Sequence, residues 1–130
     1  MIYDTNLLIG HIRKQSLPPT KAVIPIIAVA ELEAFSLKND WGFQKIRFMR
    51  YLTDRYPIAD IERDIIPIYA EVDAFSQGKF QPALLKTSAR NMGKNDIWIA
   101  AIALYLDMEL HTTDGDFDHL PALGLRLVKY

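Results

Sequence analysis

The sequence predicts an α/β domain, a three-layer α/β/α sandwich built on a mainly parallel sheet. Three observations carry that expectation. Short apolar runs bounded by turn residues alternate with longer segments of helical period, the order expected of strand–helix–strand units. Two of the runs end in an aspartate, Asp4 and Asp114, as strands do where a site forms beyond their carboxyl ends. Finally, 130 residues with 50% hydrophobic and 24% charged side chains are enough to bury one core without disulfides or a structural metal, so residues 1–130 are read as a single domain.

Taken in order, Met1 to Thr5 reads as a short strand and Asn6 to Arg13 as a short helix, with Asp4 or Thr5 near its start. Ser16 to Lys21, which holds Pro18-Pro19, is loop, and Ala22-Val23-Ile24 is a brief strand. Pro25 opens the next helix, where its missing N–H is not needed. Ile26 to Lys38 forms an apolar helix carrying Glu31 and Glu33, and Gly42 to Arg55 an amphipathic one with Phe43, Ile46, Met49, Tyr51 and Leu52 among its bases. Ile58 to Ile61 reads as a strand. The following helix is expected from Ile65 to Gln77, capped by Asp64 with Pro67 in its first turn. Gly78 to Lys94 is interrupted by Pro82 and Gly93, and a short helix is expected around Ala83 to Arg90. Asp96 to Leu106 is a nearly all-apolar and therefore central helix. Glu109 to Thr113 is a strand, Asp114 to Leu123 a loop or single turn, and Leu125 to Tyr130 a final strand.

The chain has no cysteine, which excludes a disulfide framework, a thiolate zinc site and a cysteine nucleophile. A cytoplasmic location follows as the expectation, and no signal peptide is visible. The longest apolar run, Ile97 to Leu106, is about half of the roughly 20 residues that span a bilayer, so no membrane role is expected. A net charge of -1 lacks the strongly basic footprint of a dedicated DNA binder. The charge is unevenly placed, however. From Asn95 to Leu125 the ionic side chains are all acidic, while bases gather at Arg47, Arg50 and Arg55 and again at Lys79, Lys86, Arg90 and Lys94.

Four acids carry the chemistry. In a parallel sheet Asp4 and Asp114 emerge on the same edge. Asp96 occupies the first turn of the apolar helix, where the helix N-terminus favours an anion. Glu31 is enclosed by Ile26, Ile27, Val29, Ala30 and Leu32, with no base within helical reach, and burying an unpaired carboxylate costs several kcal/mol. Convergence of such groups adds repulsion of about 4 kcal/mol per close pair at an effective dielectric near 20. A divalent cation removes both objections. Oxygen-only ligands select a hard ion, Mg²⁺ or Mn²⁺, rather than zinc. Such an ion suits phosphodiester hydrolysis, because it promotes ionisation of water and neutralises phosphoryl charge.

Other readings of these residues remain open one by one. A helix cap accounts equally well for Asp4 or for Asp96, and a solvent-facing acid for Glu31. Glu33 points elsewhere on its helix and reads as the partner of a nearby base, and Asp118 as a surface acid. The run Asp114-Gly115-Asp116-Phe117-Asp118 is no calcium loop, since His119 and Leu125 stand where glycine and glutamate are required. His11, His111 and His119 lack ligand spacing. A phosphatase with a nucleophilic first aspartate needs a second acid two residues later, where Asn6 stands.

The order of these pieces along the chain resembles the PIN-domain family, in particular VapC-like toxin ribonucleases. The matching segments are Met1-Ile2-Tyr3-Asp4-Thr5-Asn6-Leu7-Leu8-Ile9, Val29-Ala30-Glu31-Leu32, Asn95-Asp96-Ile97-Trp98-Ile99-Ala100-Ala101 and Thr112-Thr113-Asp114-Gly115-Asp116-Phe117. Together they reach from one end of the chain to the other. The resemblance implies a Rossmann-like, PIN-like sandwich and a Mg²⁺- or Mn²⁺-dependent endoribonuclease acting on RNA. It carries the catalytic role to Asp4, Glu31, Asp96 and Asp114. The metal would be held by these four together with Asp116, with Thr5 and Asn6 supporting the first carboxylate. Partners implied are a small antitoxin protein and a second copy of the chain in a homodimer. Two alternatives stay open: a catalytically inactive PIN-fold RNA- or protein-binding module, and a structure-specific DNA nuclease. The segment Lys79 to Arg90 is longer than the family's usual connection.

Overall fold

The apolar runs pair as strands and five helices fill the intervals in a computed structural model that describes residues 1–130. The elements are β1 (Ile2–Tyr3), α1 (Thr5–Lys14), β2 (Ile24–Pro25), α2 (Ile26–Lys38), α3 (Phe43–Arg55), β3 (Ile58–Ala59), α4 (Ile66–Ser76), α5 (Lys94–Leu106), β4 (Leu110–Thr112) and β5 (Leu127–Lys129). Strand β4 lies between β1 and β5, with Tyr3 beside His111 and His111 beside Val128. Strands β2 and β3 pair with each other, and a bridge from Ile2 to Val23 joins them to β1. Every pairing is parallel, giving the spatial order β3-β2-β1-β4-β5.

Alternation along the strands sends successive side chains to opposite faces, and each face is covered. Ile2 and Leu110 join the cluster built by Val72 and Phe75 of α4 and Ile97, Ile99 and Ile102 of α5. Tyr3 and Ile24 join the one built by Leu8 and Ile12 of α1, Leu32 of α2 and Met49 and Leu52 of α3. Each buried aliphatic side chain contributes about 1.5–3 kcal/mol through loss of apolar surface from water. Helix α2 serves both clusters, Ile27 lying in one and Ala28 in the other. It therefore sits at the seam where the cleft described below opens. No helix is long and apolar enough to cross a membrane.

Two local expectations are corrected. No helix forms around Ala83 to Arg90. Gly78, at φ +73°, lies just past the end of α4, and Pro82 removes a backbone donor. Ala83 and Leu85 then both pack on the α4–α5 cluster while Leu84 is exposed, an alternation of extended rather than helical chain. Asp64 does not cap α4: it falls inside a 3₁₀ turn, Arg63–Ile65, and α4 starts without a side-chain cap. Two further 3₁₀ turns, Gly115–Phe117 and Leu120–Leu123, occupy the segment read as a loop or single turn. Helix α5 begins at Lys94, two residues before the expected start.

Candidate active site

The last residue of β1 is followed at once by Asp4, whose extended backbone (φ −69°, ψ 153°) turns the chain into α1. Its Oδ1 accepts the Thr5 N–H at 2.8 Å and its Oδ2 accepts the Thr112 hydroxyl at 2.7 Å. Asp4 is thus a helix cap and a buried carboxylate at once, only 3% exposed. Each oxygen keeps a second lone pair. Thr112 ends β4, immediately beside β1, and is wholly buried. Its hydroxyl oxygen also accepts the backbone N–H of Asp114 at 2.9 Å, so one side chain positions two acids on neighbouring strands.

Glu31 reaches the same place from α2. Thr5 donates its hydroxyl to Glu31 Oε1 at 2.7 Å, and the Asn95 amide donates to Oε2 at 3.3 Å. Asp96 follows in the first turn of α5, whose N-cap is Gly93. The Asp96 side chain accepts no hydrogen bond, so the cap reading does not account for it. Asp114 accepts the Asp116 N–H at 2.9 Å through Oδ1, holding the 3₁₀ turn that brings Asp116 round. Carboxylate oxygens of Asp96, Asp114 and Asp116 lie within 4.8 Å of one another. Asn6 lines the same cleft and bonds none of the acids.

Electrostatics register the crowding. Burial pushes the Asp96 carboxyl up to about 7, and the charges of Asp4, Asp114, Glu31 and Asp116 push it the same way. Asp4 is also raised, chiefly by burial; its bonds from Thr112 and Thr5 pull it back, while Asp114 and Glu31 add to the rise. The chain forms ion pairs elsewhere, including Glu33 with Arg50 at 3.4 Å and Asp118 with Lys129 at 2.8 Å. None involves the five clustered acids. Asp4, Glu31 and Asp96 border a cleft with a volume of about 560 Å³ that runs along α2 to Lys38.

This donor set suits a hard divalent cation. It is all oxygen, none of its acids is ion-paired, and the oxygens of Asp96, Asp114 and Asp116, all within 4.8 Å of one another, are close enough to share one such ion. The residues not singled out beforehand are Thr112 and Asn95. Thr112 stands two residues before Asp114, the spacing of a hydroxyl that caps a following backbone N–H, and that was the available signal.

Fold and cleft together define a parallel α/β protein with an acidic site at the carboxyl ends of adjacent strands. No family model and no curated protein matches the chain by sequence. Solved structures do match. VapBC-1 from nontypeable Haemophilus influenzae is similar at 27% identity and a TM-score of 0.69, with 99% of this chain and 98% of that chain covered. VapBC2 from Rickettsia felis, bound to a DNA fragment from their promoter, is similar at 22% identity and a TM-score of 0.73, again over 99% and 98%. VapBC-5 from Mycobacterium tuberculosis, a member of a family of toxin–antitoxin systems, is similar at 21% identity and a TM-score of 0.72, over 99% and 97%. In its fold the chain is similar to these VapBC structures, the PIN-like α/β arrangement that the sequence resemblance implied.

Proposed function

We propose that the chain is a Mg²⁺- or Mn²⁺-dependent endoribonuclease that hydrolyses RNA phosphodiester bonds, and the toxin of a toxin–antitoxin pair. It would act in the cytoplasm as one domain, residues 1–130, in a homodimer restrained by a small antitoxin protein. The observation that carries the reading is the convergence of carboxylates from separate chain segments with no ion pair to neutralise any of them. The likeness to VapBC structures supports the toxin part.

Asp4 and Asp96 are assigned as principal metal ligands, Glu31 and Asp114 as the residues that complete the site, and Asp116 as the outermost ligand. When bound, the ion supplies Lewis acidity and neutralises charge on the phosphoryl oxygens. The chain supplies placement. Thr5 and Thr112 fix the Asp4 rotamer, Thr5 and Asn95 fix Glu31, and the donor oxygens are therefore set before the ion arrives. Asp96 holds a proton on its own carboxyl up to about pH 7 in the metal-free chain. Cation affinity consequently rises as pH rises through that region. Asn6, on the cleft wall, makes no bond to Asp4, and its amide is assigned to donate to a phosphate oxygen instead.

The reading is tested by titrating the chain with Mn²⁺ in a calorimeter and by offering it RNA and DNA strands of the same sequence. Saturable Mn²⁺ binding with cleavage of RNA, abolished by a chelator, is the expected result. A chain that takes up no Mn²⁺ and cleaves neither strand is a non-catalytic binding module, and one that cleaves only DNA is a DNA nuclease.

A further inference from the structure

Helix α5 is buried on almost every side: of the positions from Ile97 to Ala103, all are buried except Trp98. That open position carries the largest side chain available. One turn after Asn95, Trp98 lines the acidic cleft beside Asp96. Its ring is backed by Tyr69 of α4, centroids 4.2 Å apart and tilted by 37°, and both rings rest on the α4–α5 core. The indole is therefore rigid without being enclosed. Trp98 is only partly buried, and its N–H makes no hydrogen bond within the chain, which leaves it open to solvent or a ligand. Ile61, 40% exposed, extends the same apolar wall.

An apolar aromatic wall against a field of carboxylates fits few ligands. It fits a strand whose phosphates are drawn to a cation-loaded acidic centre while its bases need a π-face. The cleft has the volume of a small-ligand pocket, room for a nucleotide or two rather than for a duplex. Bases stack on aromatic side chains once they are unpaired.

We infer that Trp98, braced by Tyr69, is a positioning residue on which an unpaired base of single-stranded RNA stacks, setting the neighbouring phosphate against the acidic cluster. This rests on the nuclease reading and adds the substrate contact to it.

The test uses the full chain with Trp41→Phe, which leaves Trp98 as the only tryptophan. The probe is an adenine-containing RNA hexamer with Ca²⁺ in place of Mg²⁺ or Mn²⁺, so that binding is read without turnover. Trp98 emission is quenched in step with hexamer binding. Trp98→Leu weakens that binding by about 5- to 150-fold, whereas Trp98→Phe, which keeps a ring, stays within about 5-fold of the unsubstituted chain. A hexamer of abasic riboses binds the Leu variant and the unsubstituted chain equally. In Mn²⁺-driven cleavage the loss falls on KM, with kcat within about 3-fold. Equal hexamer binding by the Leu variant overturns the inference, as does an equal loss on the abasic hexamer or an emission that responds to a peptide but not to RNA. If the intact chain takes up Mn²⁺ yet neither binds nor cleaves any RNA, the nuclease reading itself has failed and the inference falls with it.

Discussion

Two polar clusters flank the same pair of strands, and they are built on opposite logic. On the α1 side of β1 and β4, Tyr3, His111, Tyr130 and Glu109 close on one another. The Tyr3 and Tyr130 hydroxyls lie 3.2 Å apart, His111 Nδ1 is 2.8 Å from the Tyr130 hydroxyl, and His111 Nε2 is 3.1 Å from Glu109 Oε1. A single set of protons satisfies all of them: Tyr3 donates to Tyr130, Tyr130 to His111 and His111 to Glu109. The Tyr3 ring also stacks on His111 at 5.4 Å. At the carboxyl ends of those strands, Asp4, Glu31, Asp96, Asp114 and Asp116 offer acceptors and like charge with few donors. A closed network explains its own presence by stability; an open one of like charges is stabilised by something from outside, a cation or a proton. That contrast separates structural from functional polarity here better than burial does, since Asp4 and His111 are both nearly inaccessible.

The comparison breaks most visibly in activity. Asp4→Asn or Asp96→Asn keeps the shape and removes the charge, and Mn²⁺-dependent RNA cleavage should fall by at least about 100-fold, beyond the 10- to 100-fold usual for partners outside the ligand set. Full cleavage by both variants would refute the site assignment. Thr112→Val is next. It strips the donor to Asp4 and the acceptor for the Asp114 N–H, so cleavage and Mn²⁺ affinity should drop by about 10- to 100-fold. Urea unfolding should register a loss of about 1–3 kcal/mol.

The acidity of the medium sharpens the contrast further. Asp96 has a folded-state pKa near 7 against 3.8 for the free side chain. The folded chain therefore holds its proton more tightly than the unfolded chain, and the stability of the metal-free protein falls as pH rises from about 4 to about 7, then levels. Discounted for the part-exposed site, the loss is about 1–2 kcal/mol. Urea midpoints measured with chelator across that range should decline for the unsubstituted chain and flatten for Asp96→Asn. Saturating Mn²⁺ should restore stability, by about 2.7 kcal/mol at a hundred times its Kd. The smallest effect belongs to the closed cluster. Tyr130→Phe removes a hydroxyl from an exposed residue, and stability should change by about 1 kcal/mol or less while cleavage stays within about 2-fold.

Much of this was legible because strand ends and helix starts leave strong local marks. Asp4 after Ile2-Tyr3, and Asp114 after Leu110-His111-Thr112-Thr113, pointed to one sheet edge, and β4 does lie beside β1. The apolar run after Asp96 announced a central helix. Glu33 was readable as the partner of a base, and Arg50 is that base. What stayed hidden depends on contacts distant in sequence. The joint grip of Thr112 on Asp4 spans the chain from one end to the other, and no local pattern reports it. The extended course around Ala83 and Leu85 is set by the α4–α5 surface beneath it, which overrode a stretch whose composition permits a helix.

The position of β4 between β1 and β5 has a bearing on the protein's manufacture. A ribosome releases Asp4 and Glu31 well before β4 and the turn after it, and β4 completes its pairing only against Leu127 to Lys129. A growing chain therefore carries dispersed acids and no assembled cluster. Whatever reactivity the cleft possesses is withheld until β5 has been made, a delay set by the order of the strands.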